Sequence, residues 1–329
     1  MKVLITGGAG YIGSTVATAC EEAGHEPVLL DDLSTGLRAF GQGRPLYVGD
    51  IADAAVLDRV LADHPDIDAV VHCAARIVVP ESVADPLGYY DTNVGKTIVL
   101  VDRLRRAGIE RIVFSSSASV YAGESGEGVD ESGTLGPASP YAMTKAMVER
   151  ILADTASAGG IRAIALRYFN PIGADPRLRT GLQNPRPSHA LGKIMQARAE
   201  GVPFTITGVD WPTRDGSGIR DYIHVWDLAL AHVAAVERFD TIAPSGAPYR
   251  IINVGAGEGV TVRELVAAFE RVTGESLPTV EAPRRPGDQA GAFALVEHAE
   301  ELLGWRAERS VDDGVRDALA WAEKLPSVL

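Results

Sequence analysis

The 329-residue sequence predicts an α/β fold: a doubly wound parallel sheet with a smaller mixed α/β region beside it. Short apolar runs alternate with helical patterns through the first half, as in a parallel sheet covered on both faces. A glycine-rich turn joins the first run to the first helical pattern. From about Pro171 the alternation gives way to a stretch punctuated by Pro171, Pro176, Pro185, Pro187, Pro203 and Pro212. The apolar runs Val3–Thr6, Pro27–Leu30, Leu46–Val48, Ala69–Ala74, Arg111–Ser115 and Arg162–Phe169 read as strands. Between them Ile12–Ala23, Ala54–Ala62, Gly88–Ala107 and Tyr141–Ser157 read as helices. The second half offers one helix at Ala190–Glu200, a strand at Arg250–Val254, a helix at Val262–Val272 and a terminal helix after Asp312.

Composition removes several function classes. With 31 Lys+Arg against 44 Asp+Glu, the net charge of -13 argues against a nucleic-acid partner, which needs a basic face to neutralise phosphates. A few arginines can still form a local pocket for a small anion. Two cysteines, Cys20 and Cys73, cannot build a disulfide framework or a four-cysteine zinc site, and no metal is expected. They read as reduced core thiols. Neither a signal-peptide pattern nor an apolar run of ~18–20 residues is present, so a cytoplasmic protein with no membrane partner is expected.

Thr6-Gly7-Gly8-Ala9-Gly10-Tyr11-Ile12-Gly13-Ser14 follows the first strand and opens the first helix, with Gly7, Gly10 and Gly13 in GxxGxxG spacing. Glycines permit the tight turn and let backbone amides at a helix start approach a pyrophosphate, the Rossmann-type arrangement. The second strand ends in Leu29-Leu30-Asp31-Asp32. A carboxylate at Asp31 can accept from adenosine ribose hydroxyls and repels a 2′-phosphate, so NAD is favoured over NADP. Asp50, in Gly49-Asp50-Ile51 at the end of the third strand, is a candidate for the adenine amino group.

Tyr141 and Lys145 lie four residues apart, on one helical face. A phenol with a pKa of about 10 is a poor base near neutrality, and a neighbouring ammonium favours its phenolate. Phe114-Ser115-Ser116-Ser117 closes the fifth strand, and ligands of open α/β sheets bind at the carboxyl ends of strands. Ser117 can therefore bond the same substrate hydroxyl that Tyr141 deprotonates, leaving Ser115 and Ser116 to satisfy backbone groups.

With these residues in this order the chain resembles the extended short-chain dehydrogenase/reductase family, and within it the UDP-glucose (UDP-galactose) 4-epimerases. The resemblance spans nearly the whole chain, through GGAGYIGS (7–14), DDLSTG (31–36), GDI (49–51), HCAA (72–75), YYDTNV (89–94), FSSSASVY (114–121), SPYAMTK (139–145), NVGAGEGVTV (253–262) and RRPGD (284–288). RYFNP (167–171) and DGSGIRDYIHV (215–225) narrow it to epimerases. It implies an isomerase in which Tyr141 takes the proton of the sugar 4-hydroxyl, with Ser117 and Lys145 as its catalytic partners. Hydride passes to bound NAD, a 4-keto sugar turns over, and hydride returns to the opposite face.

The resemblance extends the cofactor set beyond Gly7, Gly10, Gly13, Asp31 and Asp50. It adds Tyr11, Ile12, Asp32, Ser34, Thr35, Gly36, Ile51, Ala74, Ala75, Asn93, Ser115, Tyr141, Lys145 and Tyr168. For the UDP-sugar it implies Asn170, Arg220 and Arg285 at the diphosphate, Asp288 at the ribose and the strand holding Thr205 and Thr207 at uracil. His189 stands where many relatives have asparagine. The implied division is residues 1–173 plus roughly 221–257 for NAD and 174–220 plus 258–329 for the nucleotide sugar, in a homodimer.

The sugar itself is left open. Ala292 stands where some relatives carry a bulky tyrosine, which would admit an N-acetylated hexose. Arg76 and Arg186 are candidates for a C6 carboxylate, making a UDP-glucuronate/UDP-galacturonate or UDP-N-acetylhexosamine 4-epimerase the alternatives. Ile77 replaces a polar residue found beside the cofactor in some relatives. A 4,6-dehydratase is disfavoured because Ala118-Ser119, not an Asp-Glu pair, follows Ser117. A non-catalytic NAD-binding sensor is disfavoured by the intact Ser117, Tyr141 and Lys145.

Overall fold

The computed structural model describes residues 1–122, 126–184, 187, 189–284 and 289–329. Its centre is a seven-stranded sheet of β1 (Lys2–Thr6), β2 (Glu26–Asp31), β3 (Leu46–Val48), β4 (Ile67–His72), β5 (Arg111–Ser115), β6 (Arg162–Tyr168) and β7 (Tyr249–Val254), in the order β7-β6-β5-β4-β1-β2-β3. Every pairing in it is parallel. Buried on both faces, the strands read as unbroken apolar runs. Alternate residues serve opposite cores: Val3 and Ile5 meet α1 (Tyr11–Glu22) through Val16 and Cys20. Leu4 faces α2 (Ala54–Asp63), α3 (Lys96–Arg106) and α4 (Pro140–Ala158) through Leu57, Leu100 and Leu152.

Three readings of the elements change. The strand expected at Ala69–Ala74 lies two residues earlier, because Ile67 pairs with Lys2 and a register shift follows. The helix expected over Gly88–Ala107 is interrupted: Pro86–Tyr90 leads into a π-helical turn at Asp91–Gly95 before α3 begins. A helix absent from the sequence reading, Val225–Glu237, packs on α1 under the sheet. Ten of its residues are buried, and a helix apolar on all sides has no amphipathic period to read.

A third core, holding Ile172, Ile194, Phe204, Ile206, Tyr222, Leu265, Phe269 and Val315, lies apart from the sheet's two. It unites α5 (Ala190–Glu200), α6 (Val262–Thr273) and α7 (Val311–Lys324). Short strand pairs bind its segments together: Asn170–Ile172 with Tyr222–His224, Phe204–Thr207 with Thr279–Ala282, and Ile219–Arg220 with Val260–Thr261. Gly128–Val129 pairs with Phe293–Ala294, tying the loop after β5 to the same region.

Candidate active site

The glycine loop turns back on itself. Gly7 has φ +68°, and a Cβ on Gly13 would stand 2.2 Å from the Gly7 carbonyl, so neither position tolerates a side chain. Only the Gly7 carbonyl, at 3.3 Å, lies near a Cβ built on Gly10, whose other side is open. Helix α1 has no side-chain cap and no acid in its first turn. Asp53, Ser139, His189, Thr261 and Ser310 cap other helices. The amides of Tyr11, Ile12 and Gly13 therefore have no acceptor among the described residues, which suits a pyrophosphate and the positive end of the helix dipole. This donor set fits a dinucleotide.

Asp31 ends β2 beneath the loop, its Oδ2 accepting from Ala9 N–H at 2.9 Å and its Oδ1 from Leu33 N–H at 2.8 Å. Burial raises its pKa, and the two amides oppose that rise. Both oxygens retain lone pairs for hydroxyl donors. A Cβ on Gly36 would stand 2.7 Å from Asp31 Oδ1, so the 31–36 turn fits only with glycine there. Asp32 is engaged by Ser34, whose hydroxyl and amide donate to it at 2.6 and 2.9 Å. The Thr35 carbonyl accepts from Gln183. Asp50 is ion-paired with Lys96, while the Ile51 side chain is buried in the sheet's core. Ile12 packs against the opposite core, and the Tyr11 hydroxyl donates to the Gly173 carbonyl at 2.7 Å.

Tyr141 and Lys145 face the strand-end serines from α4, and both are more than nine-tenths buried. Ser117 adjoins the Tyr141 phenol, and its hydroxyl eases the phenol's ionisation. Burial raises Tyr141 to about 12, opposed by Ser117. The Lys145 ammonium instead donates to the Ser115 carbonyl at 2.7 Å and lies 4.8 Å over the Phe114 ring, against 5.9 Å for Tyr141. The terminal carbonyl of β5 outcompetes a neutral phenol for a buried cation. Burial also lowers Lys145 to about 8, opposed by Cys73 and Glu149.

The Ser115 side chain turns inward. His232 Nδ1 donates to the Leu228 carbonyl, so its Nε2 accepts, and Ser115 Oγ donates to it at 2.9 Å. Cys73 Sγ lies 3.1 Å from the same Oγ, and Tyr168 packs tilted on the His232 ring. Asn93, in the π-helical turn, brackets the Arg76 backbone by accepting from its N–H at 2.8 Å and donating to its carbonyl at 2.9 Å. A further bond to Thr144 Oγ1 at 3.0 Å fastens that bracket to α4. Ala74, which donates to Thr6 Oγ1, and half-buried Ala75 run beside the glycine loop, where a Gly7 Cβ would meet Ala74 N at 2.8 Å.

On the far side, Asn170 N–H donates to the Asp221 carbonyl. Asp221 is wholly buried and receives the amides of Ala256, Gly257 and Ala294, yet burial still raises it to about 6. Arg220 Nη1 donates to the Ile219 and Ala290 carbonyls at 2.6 and 3.0 Å. His189 caps α5, its Nδ1 accepting from Gly192 N–H, which leaves Nε2–H as a donor without an acceptor among the described residues. Burial lowers its pKa to about 4, so that tautomer is neutral at pH 7. Thr205 is exposed and Thr207 half-buried on their strand. Arg285, Asp288 and Arg186 lie outside the described residues. Arg76, a candidate for a sugar carboxylate, is instead paired with Asp85 at 2.7 Å and stacked on Tyr89. Ile77 is exposed and Ala292 half-buried.

Sequence reasoning missed Lys96, Glu149, Arg167, Asp221 and His232. Glu149 was findable, since it continues the Tyr141, Lys145 spacing by one more helical turn. The others act through strands and helices that meet only in three dimensions. Among the described residues no group of three or more His, Cys, Asp or Glu side chains is placed to hold a metal, and no helix is long and apolar enough to cross a membrane.

Residues 3–255 match the family model described as the NAD dependent epimerase/dehydratase family. The chain is 45% identical to the UDP-glucose 4-epimerase of Azospirillum brasilense over 327 residues, covering 98% of this chain and 92% of that one. Its fold superimposes on the UDP-glucose-4-epimerase of Stenotrophomonas maltophila, crystallised with NAD and formylated UDP-arabinopyranose, with a TM-score of 0.93, 37% identity and full coverage of both chains. The Bifidobacterium longum UDP-glucose 4-epimerase, solved with NAD+ and UDP, gives 0.90 and 35%, again over both full chains.

Proposed function

The chain belongs to the NAD dependent epimerase/dehydratase family, and from that premise we propose that it is an NAD-dependent UDP-hexose 4-epimerase of the UDP-glucose/UDP-galactose type. The observation that carries the reading is the meeting of Ser117, Tyr141 and Lys145 at the strand ends beside the uncapped start of α1. The amides of α1 and the Asp31 carboxylate are the groups that would hold the dinucleotide, with Lys145 at its other end. NAD would supply the hydride acceptor and donor for C4. Tyr141 accepts the 4-hydroxyl proton and later returns it, and Ser117 fixes the oxygen between them. A phenol held near 12 needs positive charge beside it to act near pH 7. Lys145 is the nearest source once its ammonium turns from the Ser115 carbonyl.

Asn170, the His189 Nε2–H and Arg220 are the described groups we assign to the UDP diphosphate, Arg285 and Asp288 completing the set, with Thr205 and Thr207 beside uracil. Residues 1–173 with roughly 221–257 would serve NAD, and 174–220 with 258–329 the nucleotide sugar. A hexose with a C6 hydroxymethyl is favoured over a uronate because Arg76 already has Asp85 as its partner. A homodimer is supported by the exposed apolar side chains Ile98, Val99 and Met147 on α3 and α4, with Val83 and Leu87 beside them. A cytoplasmic location fits the two unpaired cysteines. Incubation with UDP-glucose, UDP-N-acetylglucosamine and UDP-glucuronate, followed by product separation, tests the assignment: UDP-galactose should accumulate from the first. No exchange of any of the three would refute it.

A further inference from the structure

Tyr141, Lys145 and Glu149 stand at successive turns of α4, and all three are buried. Glu149 is a carboxylate that accepts three hydrogen bonds from two residues of other elements. Arg167, on β6, grips it with Nε to Oε1 at 2.9 Å and Nη2 to Oε2 at 2.6 Å. Ser116 Oγ donates to Oε1 at 2.5 Å. The side chains of Arg167 and Glu149 are only 2% and 6% exposed.

Ser116 directly precedes Ser117, and its amide is fixed to the Leu166 carbonyl at 2.9 Å. Its hydroxyl bond to Glu149 thus fastens the strand-end loop to the helix that carries Tyr141. Arg167 extends the frame: its guanidinium lies 4.8 Å over the Tyr121 ring, and the Tyr121 hydroxyl donates to Asn253 at 2.7 Å. The loop from 116 to 121 is therefore held at one end by Glu149 and at the other by its partner Arg167.

Building on the epimerase reading, we infer that Glu149 is a positioning residue for the reaction, holding Ser117 in place through Ser116 and presenting its carboxylate one helical turn from Lys145. The groups facing Lys145 are Glu149 and Tyr141 from its own helix, the Ser115 carbonyl and Phe114 ring from β5, and His72 and Cys73 from β4 and the residue after it. His72 is neutral, burial having lowered it to about 3, and Cys73 is a thiol raised to about 11. Glu149 is thus the charged carboxylate of this set, and it opposes the burial that lowers Lys145.

The test uses the full-length protein and two readouts. Competitive acetylation followed over pH by peptide mass spectrometry titrates Lys145 without turnover, and steady-state assay with UDP-glucose gives kcat and KM. Glu149→Gln should move the Lys145 titration down by about half a pH unit or more. It should also lower kcat about tenfold with KM changed less than about twofold. Ser116→Ala should lower kcat while leaving the Lys145 titration at its wild-type pH. If Glu149→Gln fails to fold around an unpaired Arg167, the double variant Glu149→Met/Arg167→Met removes both charges, and the same fall in kcat is expected because Ser116 loses its acceptor. A Lys145 titration unmoved in folded Glu149→Gln, or kcat within twofold of wild type in whichever variant folds, overturns the inference. A wild-type protein that fails to interconvert UDP-hexoses overturns the epimerase reading instead, while the acetylation titration still decides the charge of Lys145.

Discussion

The sheet carries its functional groups on successive strand ends, whereas the region opposite assembles them from segments far apart in sequence. Asp31, Asp50, Ala74 and Ser117 each lie within two residues of the end of β2, β3, β4 or β5. Across the cleft, Asn170 is tied to Asp221, which gathers Ala256, Gly257 and Ala294. A change on the sheet side should therefore act where it is made, while one on the other side should spread through whatever Asp221 or a short strand pair holds.

The largest expected effect lies where the two sides meet. Tyr141→Phe should reduce kcat by about three orders of magnitude while NAD stays bound, read by product assay and by cofactor released on denaturation. Gly13→Ala should be severe but local. Its Cβ falls 2.2 Å from the Gly7 carbonyl, so NAD affinity by calorimetry should drop about a hundredfold without a matching rise in KM for the sugar. Asp221→Ala sharpens the contrast. Three buried amides lose their acceptor, and denaturant melts should show a loss of about 3 kcal/mol, with KM for UDP-glucose raised more than the Kd for NAD.

A pH profile gives a milder effect. Lys145, lowered to about 8 by burial, is charged below that value and neutral above it, so kcat should decline as pH rises through about 8. Arg76→Ala should matter least. Its partner Asp85 is more than half exposed, so kcat/KM for UDP-glucose should stay within about twofold.

The same contrast explains what could be read from the chain before folding. Strands whose two faces are buried announce themselves as apolar runs, and Gly7 and Gly13 mark the junction of β1 with α1, with Asp31 at the end of neighbouring β2. Tyr141 and Lys145 were legible because a helix converts a spacing of four into a shared face. The state of Lys145 was not legible, because its acceptor is a backbone carbonyl on β5 and its field comes partly from burial. Val225–Glu237 escaped notice since its apolar residues surround the helix. Asp221, whose three amide donors come from residues 256, 257 and 294, offered no local pattern at all.

Three bare amides at the start of α1 bear on how the protein lives with the cell's redox balance. A donor without an acceptor costs up to about 1–3 kcal/mol where water cannot reach it, so a dinucleotide that fills these positions joins the folding equilibrium itself. Such a molecule would be a resident part of the protein and no passing co-substrate. Because the reaction returns its hydride within one turnover, a catalyst built this way can run at a steady pace while the surrounding ratio of oxidised to reduced dinucleotide rises and falls.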